Sequence, residues 1–334
     1  MAYTILVVDD EPGNLALLRG VLAAEYSLVF ARSGSEALAA TAKHHPDLIL
    51  LDVLMPDMDG YTVCRKLKEN PESANIPVIF VTGLSEVGDE TTGFSAGAVD
   101  YITKPISPVI VRARVRAHIS LVSAKQLEQS YLDAINMLGQ AGEFKDSHTG
   151  LHIWRMAAYS AELASASGWD ETSCEHIRLA APMHDIGKIG IPDAILCKPG
   201  KLDAEEWSTM QTHSTIGHKI LSRSQVPILQ LAATIVHCHH EKWDGNGYPR
   251  HLAGEAIPEV ARIVAIADVF DALTMRRPYK EAWHVDRVFE TMIAETGTHF
   301  EPRLMNLFVD ITPRILAIKD EWGARESRLQ HRTA

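Results

Sequence analysis

His184 and Asp185 stand side by side in a mostly apolar stretch, Leu179 to Lys188, where an unpaired carboxylate would be costly. A metal ion removes that cost, and one Asp carboxylate can bridge two cations while the adjacent His binds one of them. His239 and His240 form a second adjacent pair, His213 stands in Gln-Thr-His-Ser, and His152 lies on a helical pattern that runs on to Met156, Tyr159 and Leu163. Asp268 is another acid inside an apolar helix, Arg262 to Phe270. Imidazole and carboxylate donors without a thiolate suit two octahedral transition ions, iron or manganese, better than structural zinc. Two such ions acidify a water between them and stabilise an in-line displacement at phosphorus. Lys188 falls one helical turn after His184, so its ammonium can reach a substrate phosphate beside the metals. Any one of these histidines alone would read as an ordinary core or surface residue; the set carries the chemistry.

A second constellation lies nearer the N-terminus. Asp9 and Asp10 end one strand pattern and Asp52 another, so in a parallel sheet the three carboxylates gather at the carboxyl edge, where such folds bind ligands. Such a cluster holds Mg²⁺. Thr82 and Lys104 end two further strands, the latter beside Pro105. Metal, hydroxyl and ammonium together stabilise the charge of a phosphoryl group passing to Asp52, whose carboxylate is the nucleophile. A strand-end aspartate commonly just caps a helix. Five matching groups at successive strand ends outweigh that alternative.

The elements that position these groups follow from periodicity. Short aliphatic runs (Ile5 to Val8, Leu28 to Ala31, Leu48 to Leu51, Val78 to Val81, Val99 to Ile102) alternate with helical patterns, which predicts a parallel α/β sheet. From Ser107 the pattern is helical throughout, with Val111, Val115, Ile119, Val122, Leu127, Tyr131, Ile135 and Leu138 at apolar positions of a long connecting helix over residues 107–142. That helix either packs on its own domain or forms the seam of a homodimer. The expected organisation is a domain over residues 1–120, overlapped by that helix, an all-helical domain over 135–322, and a frayed polar tail over 323–334. A length of 334 residues, with 46% hydrophobic and 22% charged, supports two real cores. The formal charge of -11 argues against a sequence-independent nucleic-acid binder, and no basic recognition helix is found, so DNA is not an expected partner. Met1 leads directly into a strand pattern without a signal-peptide start, and no apolar run approaches a membrane span. Cys64, Cys174, Cys197 and Cys238 form no Cys-x-x-Cys pair and read as reduced thiols, so a cytoplasmic location is expected.

Residues 1–120 resemble the response-regulator receiver family, a doubly wound, flavodoxin-like α/β fold. The resemblance implies Asp52 as phosphoacceptor, Asp9 and Asp10 as Mg ligands, Thr82 and Lys104 as phosphoryl sensors, Tyr101 as the switch aromatic, and a cis Lys104–Pro105 bond. It also implies a cognate histidine kinase as partner. Residues from about 135 to 315 resemble the HD-GYP phosphodiesterases. The resemblance rests on His-Asp-Ile-Gly-Lys at 184–188, Lys-Pro-Gly-Lys-Leu at 198–202, the run from His239 to Pro249 containing Gly-Tyr-Pro, Asp268 to Thr274, and Arg-Pro-Tyr-Lys at 277–280. It implies an HD-superfamily helical domain with metals on His152, His184, Asp185, His213, His239, His240 and Asp268, and cyclic di-GMP as substrate, opened to the linear dinucleotide, with GMP as the product of any second cut. Tyr248, Arg277 and Lys280 are carried over as substrate contacts, while Asp244 and Asp271 have the alternative reading of salt-bridge partners. Some family members have a Glu before Thr-Gly-x-His that helps bind a third metal; here His148 stands there, which favours a dinuclear site with His148 at most a single weaker ligand. Glu301 replaces a usual Asp without expected catalytic consequence. The rival readings are a catalytically weak scaffold that binds nucleotide or other signalling proteins, and hydrolysis of another cyclic dinucleotide or a nucleoside monophosphate.

Overall fold

The structure is a computed structural model that describes residues 3–83, 93–143, 151–275 and 282–333. Two compact units divide between Ser130 and Tyr131. In the first, five parallel strands, β1 (Thr4–Val8), β2 (Ser27–Ala31), β3 (Leu48–Asp52), β4 (Val78–Thr82) and β5 (Asp100–Thr103), form one sheet in the order β2-β1-β3-β4-β5. Strand alternation sends Ile5, Val7, Leu48, Leu50 and Ile79 to one face, where they pack with Leu15, Leu18 and Leu22 of α1 (Pro12–Leu22) and Val111, Val115 and Ile119 of α4 (Pro108–Glu143). Leu6, Val8, Ile49, Leu51 and Phe80 face the other way, onto Ala37 of α2 (Gly34–His44) and Val63, Cys64 and Leu67 of α3 (Gly60–Glu69). With helices on both faces, the sheet is doubly wound. The order of strand addition reverses between β1 and β3, and the crevice at their carboxyl ends is the ligand position of such sheets.

Helix α4 is 36 residues long. Its N-terminal half gives Val111, Val115 and Ile119 to the first core, and Ile135 is buried in the second. Leu127, expected at an apolar position of the helix, is 72% exposed.

The second unit is helical: α5 (His152–Ala166), α6 (Glu171–Ala180), α7 (Asp193–Leu196), α8 (Ala204–Leu221), α9 (Pro227–Cys238), α10 (Glu259–Thr274), α11 (Val285–Ala294), α12 (Pro302–Asp310) and α13 (Thr312–Thr333). Met156, Tyr159 and Leu163 of α5 and Ile263, Ile266 and Phe270 of α10 lie in its core. Two 3₁₀ turns, Ala181–Met183 and Ile186–Gly190, interrupt the helices at His184-Asp185. Asp203 caps α8 in a reciprocal box with Glu206: the Asp203 side chain accepts from the Glu206 amide at 2.9 Å, and Glu206 accepts from the Asp203 amide at 2.8 Å. The end of the chain differs from expectation. Residues 323–333, expected as a polar tail, are helical and continue α13, because the tail is rich in good helix formers and extends an existing helix rather than nucleating one.

Candidate functional site

At the sheet's carboxyl edge, Asp9, Asp10 and Asp52 each offer an oxygen within 4.8 Å of the others. Lys104 Nζ lies 3.0 Å from Asp9 Oδ2 and 2.7 Å from Asp52 Oδ2. Asn14 Nδ2 donates to both Asp9 oxygens at 3.0 Å and so fixes that carboxylate. Burial raises the Asp52 carboxyl above its ordinary value, with Lys104 working against that. Thr82 is buried at the end of β4, and its carbonyl accepts from the Lys104 amide at 2.7 Å, which ties the two strand ends together. The Lys104–Pro105 bond is cis. Tyr101 is half-buried on the α2 and α3 face of β5, with Phe94 edge-on at 6.3 Å and the Arg114 guanidinium 5.4 Å from its ring centre.

The helical unit assembles a second polar cluster. Asp185, His213, His239 and His240 each present a ligand atom within 4.8 Å of the others. The two Asp185 oxygens face different partners. Oδ1 lies 3.2 Å from His213 Nε2 and 3.8 Å from His239 Nε2, whereas Oδ2 lies 3.3 Å from His184 Nε2 and 2.8 Å from Lys188 Nζ. Asp268 Oδ1 is 3.9 Å from His184 Nε2, and the rings of His152 and His184 meet edge to face at 5.8 Å. Four of the seven ligand candidates, Asp185, His213, His239 and His240, thus converge, with His184 beside Asp185 and Asp268 and His152 next to His184. The close approach depends on Gly187, whose Cβ, were there one, would stand 1.8 Å from the His213 carbonyl oxygen.

The tautomers are set by the backbone. His184 Nδ1 is 3.1 Å from the Ala181 carbonyl, His213 Nδ1 2.8 Å from Met210, and His239 Nδ1 3.1 Å from Ile235. A proton on each Nδ1 leaves the Nε2 lone pair pointing into the cluster. His213 Nε2, His239 Nε2 and Asp185 Oδ1 are buried and make no hydrogen bond, so acceptor faces acceptor across about 3 to 4 Å. Burial and the neighbouring His184 hold the His239 imidazole neutral, its pKa pulled down to about 3. Burial pushes the Asp185 carboxyl up, but the groups around it, the Lys188 ammonium first, take it well below the ordinary value. Converging imidazole nitrogens and a carboxylate fit a divalent transition cation.

Tyr248 stacks on His240, with ring centres 4.7 Å apart and 29° between planes, and touches Trp207 edge-on at 6.3 Å. Burial raises its hydroxyl above the ordinary value, as do Asp185 and Asp268. Glu241, 2% exposed, holds the loop carrying Tyr248 by accepting from the Arg250 and Leu252 amides at 2.7 and 3.0 Å. His148, Arg277 and Lys280 lie outside the described residues. Asp244 accepts from the Asn246 amide and side chain, both at 2.9 Å, and shapes the turn. Glu301 accepts from Arg303 at 2.8 Å and from Arg262, a structural role.

Arg155, next to the site, had no role assigned from the sequence, and Asp271, given the alternative reading of a salt-bridge partner, pairs with it. Arg155, 2% exposed, binds Asp271 through two nitrogens, and Asp271 Oδ2 in turn lies 3.2 Å from His152 Nδ1. The signal was available: Arg155 follows His152 by three residues in an apolar helix, and Asp271 follows Asp268 by three.

The receiver family, described as response regulator receiver domain, matches residues 5–116, and the HD-domain family matches residues 125–304. The chain belongs to the response regulators that carry an HD domain. It is 37% identical to a probable cyclic di-GMP phosphodiesterase of Vibrio cholerae, over 98% of this chain and 81% of that one. It is also 37% identical to the cyclic di-GMP phosphodiesterase response regulator RpfG of Xanthomonas campestris, over 92% of this chain and 87% of the relative. A third relative, 3'3'-cGAMP-specific phosphodiesterase 2 of Vibrio cholerae, is 45% identical over 58% of this chain and 37% of its own length. In the HD domain the cluster around Asp185 is thus the candidate metal centre, and in the receiver Asp52 is the candidate phosphoacceptor. None of the described helices is long and apolar enough to cross a membrane.

Proposed function

We propose that this response regulator hydrolyses cyclic di-GMP in its HD domain, at a dinuclear iron or manganese centre, under the control of phosphorylation at Asp52 by a histidine kinase. The observation that carries the reading is the division of the Asp185 carboxylate, with one oxygen toward His213 and His239 and the other toward His184 and Lys188. One ion would be held by Asp185 with His213, His239 and His240, and the other by Asp185 with His152, His184 and Asp268. When bound, the ions supply Lewis acidity toward phosphate oxygens and acidify a water.

The chain's own residues do the rest. The backbone carbonyls of Ala181, Met210 and Ile235 keep the ligand rings in the Nδ1–H tautomer. Lys188 meets the phosphate charge from beside Asp185. Tyr248, held against His240 by a loop that Glu241 anchors, lines the entrance with a flat aromatic surface for a nucleotide. Arg277 and Lys280 are proposed to bind the substrate's other phosphate or bases. A second copy of the chain is a proposed partner, with the exposed Leu121 and Leu127 of α4 as its apolar contacts. The reading places the enzyme in the cytoplasm, where four unbridged cysteines stay reduced.

The substrate is carried over from the relatives named for cyclic di-GMP, which match nearly the whole chain. The 45% identity to a 3'3'-cGAMP-specific enzyme within the catalytic part makes that dinucleotide the second reading. Product-resolved hydrolysis of both dinucleotides by oxygen-free, metal-assayed protein tests the choice. Faster turnover of cyclic di-GMP is expected. A preference for 3'3'-cGAMP would move the substrate, and no turnover of either by fully metallated protein would leave a nucleotide-binding scaffold.

A further inference from the structure

We propose that Asp271 and Arg155 are positioning residues for His152: a buried carboxylate–guanidinium pair that fixes the ring's tautomer and direction, with Glu326 of α13 at its outer end. The inference rests on His152 being a metal ligand, as in the proposed function. His184, His213 and His239 each spend Nδ1 on a backbone carbonyl three or four residues earlier in their own turn. His152 is instead the first residue of α5. Asp271 takes that place from α10, its Oδ2 3.2 Å from His152 Nδ1.

The same carboxylate accepts from Arg155, through Nε to Oδ1 and through Nη2 to Oδ2 at 2.9 Å. Arg155 Nη1 makes no hydrogen bond, and Glu326 Oε2 lies 3.8 Å away. Both partners are almost wholly buried, Arg155 at 2% and Asp271 at 1% exposed. A buried ion pair gains little stability over an apolar pair of similar volume, because desolvation offsets the attraction. Its presence here is better accounted for by what the carboxylate does next, which is to orient a ligand and raise its basicity. Spacing supports this. His152 and Arg155 share one face of α5, and Asp268 and Asp271 share one face of α10, so each helix gives one ligand and one supporting residue to the same contact.

The test uses the full chain with paired substitutions that remove both buried charges together. Arg155→Met with Asp271→Asn keeps an oxygen that accepts from His152; Arg155→Met with Asp271→Leu does not. Mn²⁺ affinity is measured by chelator competition and helix content by circular dichroism. The Leu pair is expected to lose about 10- to 100-fold in Mn²⁺ affinity, and the Asn pair to recover most of it. Equal losses in the two pairs, or none in the Leu pair, would overturn the proposal. Should both pairs unfold, ¹⁵N-histidine spectra of the unsubstituted, metal-free chain decide: a proton on His152 Nδ1 supports the proposal and one on Nε2 refutes it. Because neither measurement uses a nucleotide, failure to hydrolyse cyclic di-GMP would sink the proposed function without touching this one.

Discussion

Gly142 lies so close to Ile186 that a Cβ on it would stand 2.9 Å from the Ile186 Cα and 3.3 Å from the carbonyl carbon of Asp185. One turn earlier, a Cβ on Gly139 would stand 2.9 Å from the Pro182 Cβ. The end of α4 therefore packs on both sides of His184-Asp185. Close-packed backbone does not absorb a shift; it passes it on. Gly142→Val is predicted to overpack this contact by about 1–3 kcal/mol, loosening Mn²⁺ binding and lowering kcat. Labelling of Asp52 by an acyl-phosphate donor should be unchanged. Parent-like metal content and turnover in Gly142→Val would show that the contact is idle.

Asp185 and Lys188 are 2.8 Å apart yet should fail differently when replaced. Asp185→Ala removes the carboxylate shared by both proposed ions, so metal content and hydrolysis are both expected to vanish. Lys188→Ala removes a positive charge that repels a cation, so metal should be retained or held more tightly. Its loss should appear in rate, by about 10²- to 10³-fold, if the ammonium stabilises charge on phosphate. Elemental analysis paired with single-turnover kinetics separates the two, and near-normal hydrolysis in Asp185→Ala would end the two-metal mechanism.

Phosphorylation of Asp52 should alter turnover in the HD domain. Lys104 bridges Asp9 and Asp52, so an added phosphoryl group must rearrange that ion pair, and α4 runs unbroken from the receiver core to the HD domain. Coupling between sites is typically about 5- to 150-fold, and a change of that size in either direction is the expected outcome. An acyl-phosphate donor should label the parent and not Asp52→Ala. Equal labelling would displace Asp52 as acceptor, and labelling without any change in turnover would break the coupling.

Much of this was legible in the sequence for a physical reason. The inner strands β1, β3 and β4 of the receiver bury both faces, so each announces itself as an unbroken aliphatic run such as Leu48 to Leu51. The residues that meet around Asp185 were legible because acids and paired histidines in apolar stretches need compensation. What stayed hidden depends on partners far along the chain. Arg155 and Asp271 are 116 positions apart, and spacing along one helix says which face a residue takes, not what lies opposite. Glu241 is likewise explained only by the amides of the loop that folds back on it.

The centre is predicted to hold two metals rather than three. In relatives with a Glu before Thr-Gly-x-His, a carboxylate with two oxygens can bridge ions; His148 stands in that place here, and a neutral imidazole offers one lone pair to one ion. The described donors divide into two sets around Asp185, with Oδ1 and Oδ2 serving one each. His148→Ala should therefore leave metal content at two equivalents and reduce turnover little. Elemental analysis of anaerobically prepared protein measures this directly. Three equivalents in the parent, falling to two in His148→Ala, would make His148 a ligand and the centre trinuclear.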